Sequence, residues 1–175
     1  MMTTSSPSSF DRVLLGRCLC GQVEYRVADA FGYALNCHCS NCRRATGSAF
    51  KAFAGIEREQ LSVTCGADDL LVFGQELNHD ARCAKCGSLL YSVVRDGTFV
   101  HVTLGTLTDA PTIQPSANIF VGSKAPWFTI TDSLPQHQAF ELARPWPSDL
   151  EPDRARKAAE RNAGAQAGPP PCAGP

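Results

Sequence analysis

Short runs of β-branched and aromatic residues recur between Gly, Asn and Asp punctuation from residue 16 onward, a pattern that predicts a mainly β protein of short strands. In Val23-Glu24-Tyr25-Arg26-Val27 apolar residues alternate with charged ones, as a strand with one buried face requires. The runs LLYSVV and TFVHVTL flank Arg95-Asp96-Gly97, and the Asp-Gly pair predicts a tight hairpin turn between them. Further strands are expected over residues 34–37, 49–54, 61–65, 70–73, 118–121 and 127–130. Helix is expected only over 41–45 and 148–162, the second with Ser148 as N-cap and Glu151 at the capping-box position. Neither helix carries an apolar stripe that would build a core.

The two ends read differently from the body. Residues 1–10 are rich in Ser, Thr and Pro and have too little apolar surface to offset their ordering entropy. The closing GAQAGPPPCAGP favours a flexible tail and strands Cys172 far from the other cysteines. The expected organisation is therefore a disordered leader over 1–10, one β domain over 11–145, and a short helix with a Gly/Pro-rich tail over 146–175. A chain of 175 residues with 43% hydrophobic residues suffices for one domain with a buried core.

Lys plus Arg number 16 and Asp plus Glu 17, a net charge of -1 without a like-charge block, so nothing in the charge points to nucleic acid. No stretch approaches the length that spans a bilayer, and the first seventeen residues lack the basic start and long apolar run of a secretory leader. A cytoplasmic protein is expected, with neither a membrane nor a nucleic-acid partner.

Nine cysteines change this picture, because in a reducing cytosol so many thiols point to metal ligation, catalysis or buried packing rather than disulfides. Seven of them fall in Cys18-Leu19-Cys20-Gly21, Cys37-His38-Cys39-Ser40-Asn41-Cys42 and Cys83-Ala84-Lys85-Cys86-Gly87. A CxxC pair followed by Gly forms a turn that aims two sulfurs at one zinc, and zinc in structural sites takes four ligands. Cys18 and Cys20 need two more thiolates, which Cys83 and Cys86 supply. Cys37, Cys39 and Cys42 then form a set of three, the ligand number of a catalytic zinc with an open position; closure by His38, Cys65 or a partner chain is the competing arrangement. On an extended segment His38 points away from its flanking cysteines, and Cys65, alone in LSVTC, reads as a small buried hydrophobe.

CLCGQVEY, NCHCSNCRRATGSAF, CAKCGS and NIFVGSKAPW together resemble the glutathione-dependent formaldehyde-activating enzyme family, over about residues 16–140. The resemblance implies a β-tent fold of short antiparallel strands stapled by zinc, similar to the Mss4-like superfamily, and two zinc ions per chain. It implies a structural zinc on Cys18, Cys20, Cys83 and Cys86 and a second, catalytic zinc on Cys37, Cys39 and Cys42. It further implies a carbon-sulfur lyase like S-(hydroxymethyl)glutathione synthase, with glutathione or another small thiol and a small aldehyde as partners. Two positions depart from the family pattern: Arg82 stands where Phe is usual and Asn118 where His is frequent. Arg43, Arg44 and Lys51, which follow the triple, are candidate clamps for the carboxylates of the thiol. A non-catalytic zinc-binding module, as in centromere protein V, and a glutathione carrier are the alternative functions.

Overall fold

The computed structural model describes residues 12–140, so the expected leader, the helix over 148–162 and the tail lie outside the described residues. Two sheets dominate. The smaller is made of β1 (Val13–Arg17), β2 (Glu24–Ala28) and β5 (Leu61–Cys65), in the order β1-β2-β5 and antiparallel throughout. The larger contains β3 (Tyr33–Cys37), β4 (Lys51–Glu57), β6 (Leu70–Gln75), β7 (Asn78–Cys83), β8 (Leu89–Val94), β9 (Phe99–Thr103), β10 (Asn118–Ile119) and β11 (Gln136–His137). Its order is β11-β10-β3-β4-β9-β8-β7-β6, antiparallel except where the two-residue β10 runs parallel to β3 and β11. The fold is mainly β, as the alternation predicts, and largely antiparallel, as the family resemblance implies.

Alternation decides which side chains meet. Leu14, Tyr25 and Val27 of the small sheet pack on Ile56, Leu90, Val100 and Val102 of the large one. On the opposite face Tyr33, Leu35, Cys37 and Phe53 form a second cluster with Ala117 and Ile119. All of β3 is therefore buried. The one α-helix among the described residues, α1 (Ser40–Thr46), leaves the end of β3 and buries none of its residues, in keeping with its lack of an apolar stripe.

The β8–β9 hairpin forms at the predicted place, with Arg95, Asp96 and Gly97 all at positive φ and Thr98 N–H donating to Arg95 O at 3.1 Å. The strand expected over 127–130 is absent. There Phe128 N–H bonds within its own turn to Ala125 O (3.1 Å) and its carbonyl accepts from Lys124 Nζ (2.7 Å), so no neighbouring strand is engaged. Only Asn118–Ile119 of the strand expected over 118–121 pairs, because Phe120 turns into the left-handed region at φ 56°. The sequence pattern does not predict β7: Asn-His-Asp-Ala-Arg-Cys is polar, and it is a strand because ladders with β6 and β8 flank it on both sides.

Candidate metal centre

Two turns of similar build bring the first four thiols together. Cys18 follows β1 directly, with Cys18 N–H on Val23 O at 3.0 Å and Gly21 N–H on Cys18 O at 3.1 Å. Cys83 ends β7, with Cys83 N–H on Ser88 O at 3.0 Å and Gly87 N–H on Cys83 O at 2.9 Å. Gly21 (φ 75°) and Gly87 (φ 76°) take the left-handed conformation that turns each chain back behind its cysteine pair. The four Sγ atoms of Cys18, Cys20, Cys83 and Cys86 lie within 4.8 Å of one another, with Cys18–Cys20 at 3.5 Å and Cys20–Cys83 at 3.7 Å. Zinc–sulfur bonds of ~2.3 Å give a tetrahedron with edges of ~3.8 Å, so the sulfurs stand where zinc would hold them. The crowding shows in their acidities. Burial pushes Cys86 up, but hydrogen bonds from Ser88 and Cys20 outweigh it and bring it to about 5. At Cys20 a backbone hydrogen bond at Gln22 pulls downward, while burial and its three thiol neighbours push it to about 12. Thiols that resist ionising together suit a dication as counter-charge.

The second group is local. Cys37 ends β3, Cys39 caps α1 with its sulfur accepting from Cys42 N–H at 3.3 Å, and Cys42 sits in the first turn. Their sulfurs also lie within 4.8 Å of one another, and among the described residues no fourth Cys, His, Asp or Glu joins them. They sit against the second apolar cluster, with Phe120 beside them. The hydrogen bond with Cys37, and then burial, push the Cys42 thiol well above its ordinary value. Three sulfurs without a fourth donor match zinc that keeps one position open.

His38, between two of these cysteines, is fully buried. Its ring lies 5.3 Å from Phe50 and 5.9 Å from Phe128, centroid to centroid. Asp132 can only accept, so Asn118 turns its Nδ2 to Asp132 (2.9 Å) and its Oδ1 to His38 Nε2 (2.8 Å). Nε2 therefore donates to Asn118, and the buried Nδ1 has no hydrogen-bond partner. The departure at Asn118 thus serves as acceptor and support for His38.

The three candidate clamps occupy different places. Arg44 is exposed and bonds Asn41 Oδ1 at 3.0 Å, while Arg43 is half-buried with its Nε unpartnered. Lys51 is 4% exposed and stands opposite Cys37 in the β3–β4 ladder. Its ammonium donates to Ser92 Oγ (2.7 Å), which donates in turn to Asp80 Oδ1 (2.6 Å). Burial lowers the Lys51 pKa, against the pull of Cys42, Asp80 and Cys37. The departure at Arg82 ties the two thiol groups: its guanidinium donates to Ala45 O of α1 (2.8 Å) and to Gly87 O behind the Cys83–Cys86 turn (3.3 Å). Asp80, Ser92, Asp132 and the Arg82 tie carry no motif in the sequence, because each depends on residues brought together by the sheet. Cys65 is buried at the end of β5, across from Glu24.

The model of the family described as glutathione-dependent formaldehyde-activating enzyme matches residues 13–123. A protein of Fusarium vanettenii, provisionally named as such an enzyme, is 31% identical over 51% of this chain and 53% of its own length. The match thus spans about half of that relative. A Halomonas elongata protein of the same provisional name is 26% identical over 73% of this chain and 87% of its own. The crystal structure of a Rhodobacter sphaeroides protein, 27% identical, covers 57% of this chain and 92% of that one with a TM-score of 0.47. Among the described residues no helix is long and apolar enough to cross a membrane.

Proposed function

Because the chain belongs to the glutathione-dependent formaldehyde-activating enzyme family, we propose that it is a zinc-dependent carbon-sulfur lyase resembling S-(hydroxymethyl)glutathione synthase. The observation that carries this reading is the convergence of Cys37, Cys39 and Cys42 with no fourth ligand among the described residues. In this reading Cys18, Cys20, Cys83 and Cys86 hold a structural zinc and Cys37, Cys39 and Cys42 a second one. Zinc on the three thiols would supply an open position that favours a substrate thiol in its ionised form.

The protein's own groups do the rest. The Lys51 ammonium, under the Coulombic pull of Cys42 and Cys37, offsets the negative charge that three ionised thiols concentrate. Arg43 and Arg44, on the helix that carries Cys42, pair with carboxylates of glutathione. The apolar wall of Phe120 and its cluster limits water around the thiols. The sulfur adds to the carbonyl carbon of formaldehyde or a related small aldehyde, and the proton lost by the thiol ends on the new hydroxyl.

Single-turnover formation of S-(hydroxymethyl)glutathione, measured for wild type and Cys39→Ser with zinc content determined in both, tests the proposal. Wild type should exceed the uncatalysed rate and the variant should not. Equal rates for both, matching the no-enzyme control, overturn the lyase and leave a thiol carrier or a binding module.

A further inference from the structure

A cleft of about 650 Å³ lies between α1, which contributes Asn41, Arg44 and Ala45, and strands β6, β7 and β8. That volume is ordinary for a small-molecule site. Arg44 and Arg82 line it on the polar side, Phe73 and Val93 on the apolar side. Asp80, the one acidic residue on its wall, is already engaged by Ser92 Oγ at 2.6 Å and by Arg82 at 3.5 Å. Arg44 bonds neutral Asn41 and pairs with no carboxylate among the described residues. The cleft therefore holds a guanidinium whose charge nothing on its walls balances.

The cleft and the three thiols share helix α1. Cys42 and Arg44 are two residues apart on α1 and leave it in different directions. Lys51 stands opposite Cys37 in the β3–β4 ladder and bonds Ser92, a wall residue of the cleft. In glutathione the sulfur sits on the central residue and each carboxylate lies about two residues away, ~7 Å when extended, and Arg44 is two residues from Cys42 on the same helix.

We infer that this cleft seats a carboxylate of the substrate thiol, with Arg44 as its primary partner and Arg82 as the second. The inference rests on the thiol-substrate reading above and adds where the remainder of that substrate lies. It also separates the candidate clamps: Arg44 faces the cleft, whereas the Lys51 ammonium is committed to Ser92.

The test uses the zinc-loaded protein and two probes, titrated calorimetrically against wild type and Arg44→Met with zinc content measured in each sample. S-methylglutathione carries both carboxylates and no ionisable thiol; N-acetylcysteamine carries a thiol and no carboxylate. Arg44→Met should weaken S-methylglutathione at least tenfold and leave N-acetylcysteamine unchanged, and Arg82→Lys should weaken S-methylglutathione by less. If S-methylglutathione depends on Arg44 while N-acetylcysteamine fails to bind wild type, the seat stands and the thiol-binding reading falls. Binding of S-methylglutathione equally to both proteins, or to neither, overturns the seat.

Discussion

The two thiol groups have the same chemistry and opposite construction. Cys18 and Cys20 meet Cys83 and Cys86 across more than sixty residues, each pair on a glycine-closed turn at a strand end, and Cys18 and Cys83 are buried in the core shared by the two sheets. Cys37, Cys39 and Cys42 lie within a six-residue segment where a buried strand passes into a seven-residue helix with no buried residue. A metal in the first group closes a long loop and fastens the small sheet to the large one. A metal in the second organises only a local turn, so it can leave, or exchange a ligand, without unmaking the fold. In the proposed reading, structural and reactive roles follow from where the ligands lie along the chain.

Removing a ligand from each group gives the sharpest contrast. Cys83→Ala should abolish a site whose binding free energy is on the order of 10 kcal/mol and leave the domain unfolded in circular dichroism. Cys42→Ala should lose one zinc by elemental analysis and lose turnover, while keeping its β spectrum and cooperative unfolding. Unfolding in both variants would erase the distinction.

Smaller changes test the tie between the groups. Arg82→Met removes the guanidinium shared by Ala45 O and Gly87 O and should cost about 2 kcal/mol in urea unfolding. It should also speed zinc release from the three-thiol group, followed with a chromogenic chelator; unchanged release would confine Arg82 to the knuckle. Gly87→Ala places a Cβ in open space but at φ 76°, and should cost about 1 kcal/mol without changing the second zinc.

The smallest effect at neutral pH concerns the sheet between the groups. His101, in β9, accepts or donates at Tyr33 OH (2.7 Å), and burial, aided by Lys51 and Arg95, lowers its pKa to about 3. An unfolded histidine titrates near ~6.5, so the native state binds fewer protons between these values. The contribution of His101 is complete above pH ~6.5 and is lost as pH falls toward 3. His101→Gln should therefore flatten part of the stability loss between pH 6.5 and 4, measured by urea unfolding; parallel curves for variant and wild type would refute it.

The hairpin and most strands were legible because each is set by neighbours in the chain, through alternation and an Asp-Gly turn; the helix expected over 41–45 is observed as Ser40–Thr46. The strand expected over 127–130 failed because Lys124 and Ala125 satisfy that backbone locally and Phe128 turns to His38. The polar β7 has no strand pattern of its own because its ladders come from β6 and β8.

By itself the sequence determined the three cysteine clusters, their division into four and three, and the mainly β character, because ligand spacing and side-chain alternation are short-range properties. Only the tertiary structure decided that Lys51 is buried on Ser92, that Asn118 holds His38, that Arg82 joins the two thiol groups, and that a cleft with an unbalanced Arg44 lies beside α1. Each of these joins residues far apart in the chain, and their hydrogen-bond partners exist only once the strands are in register.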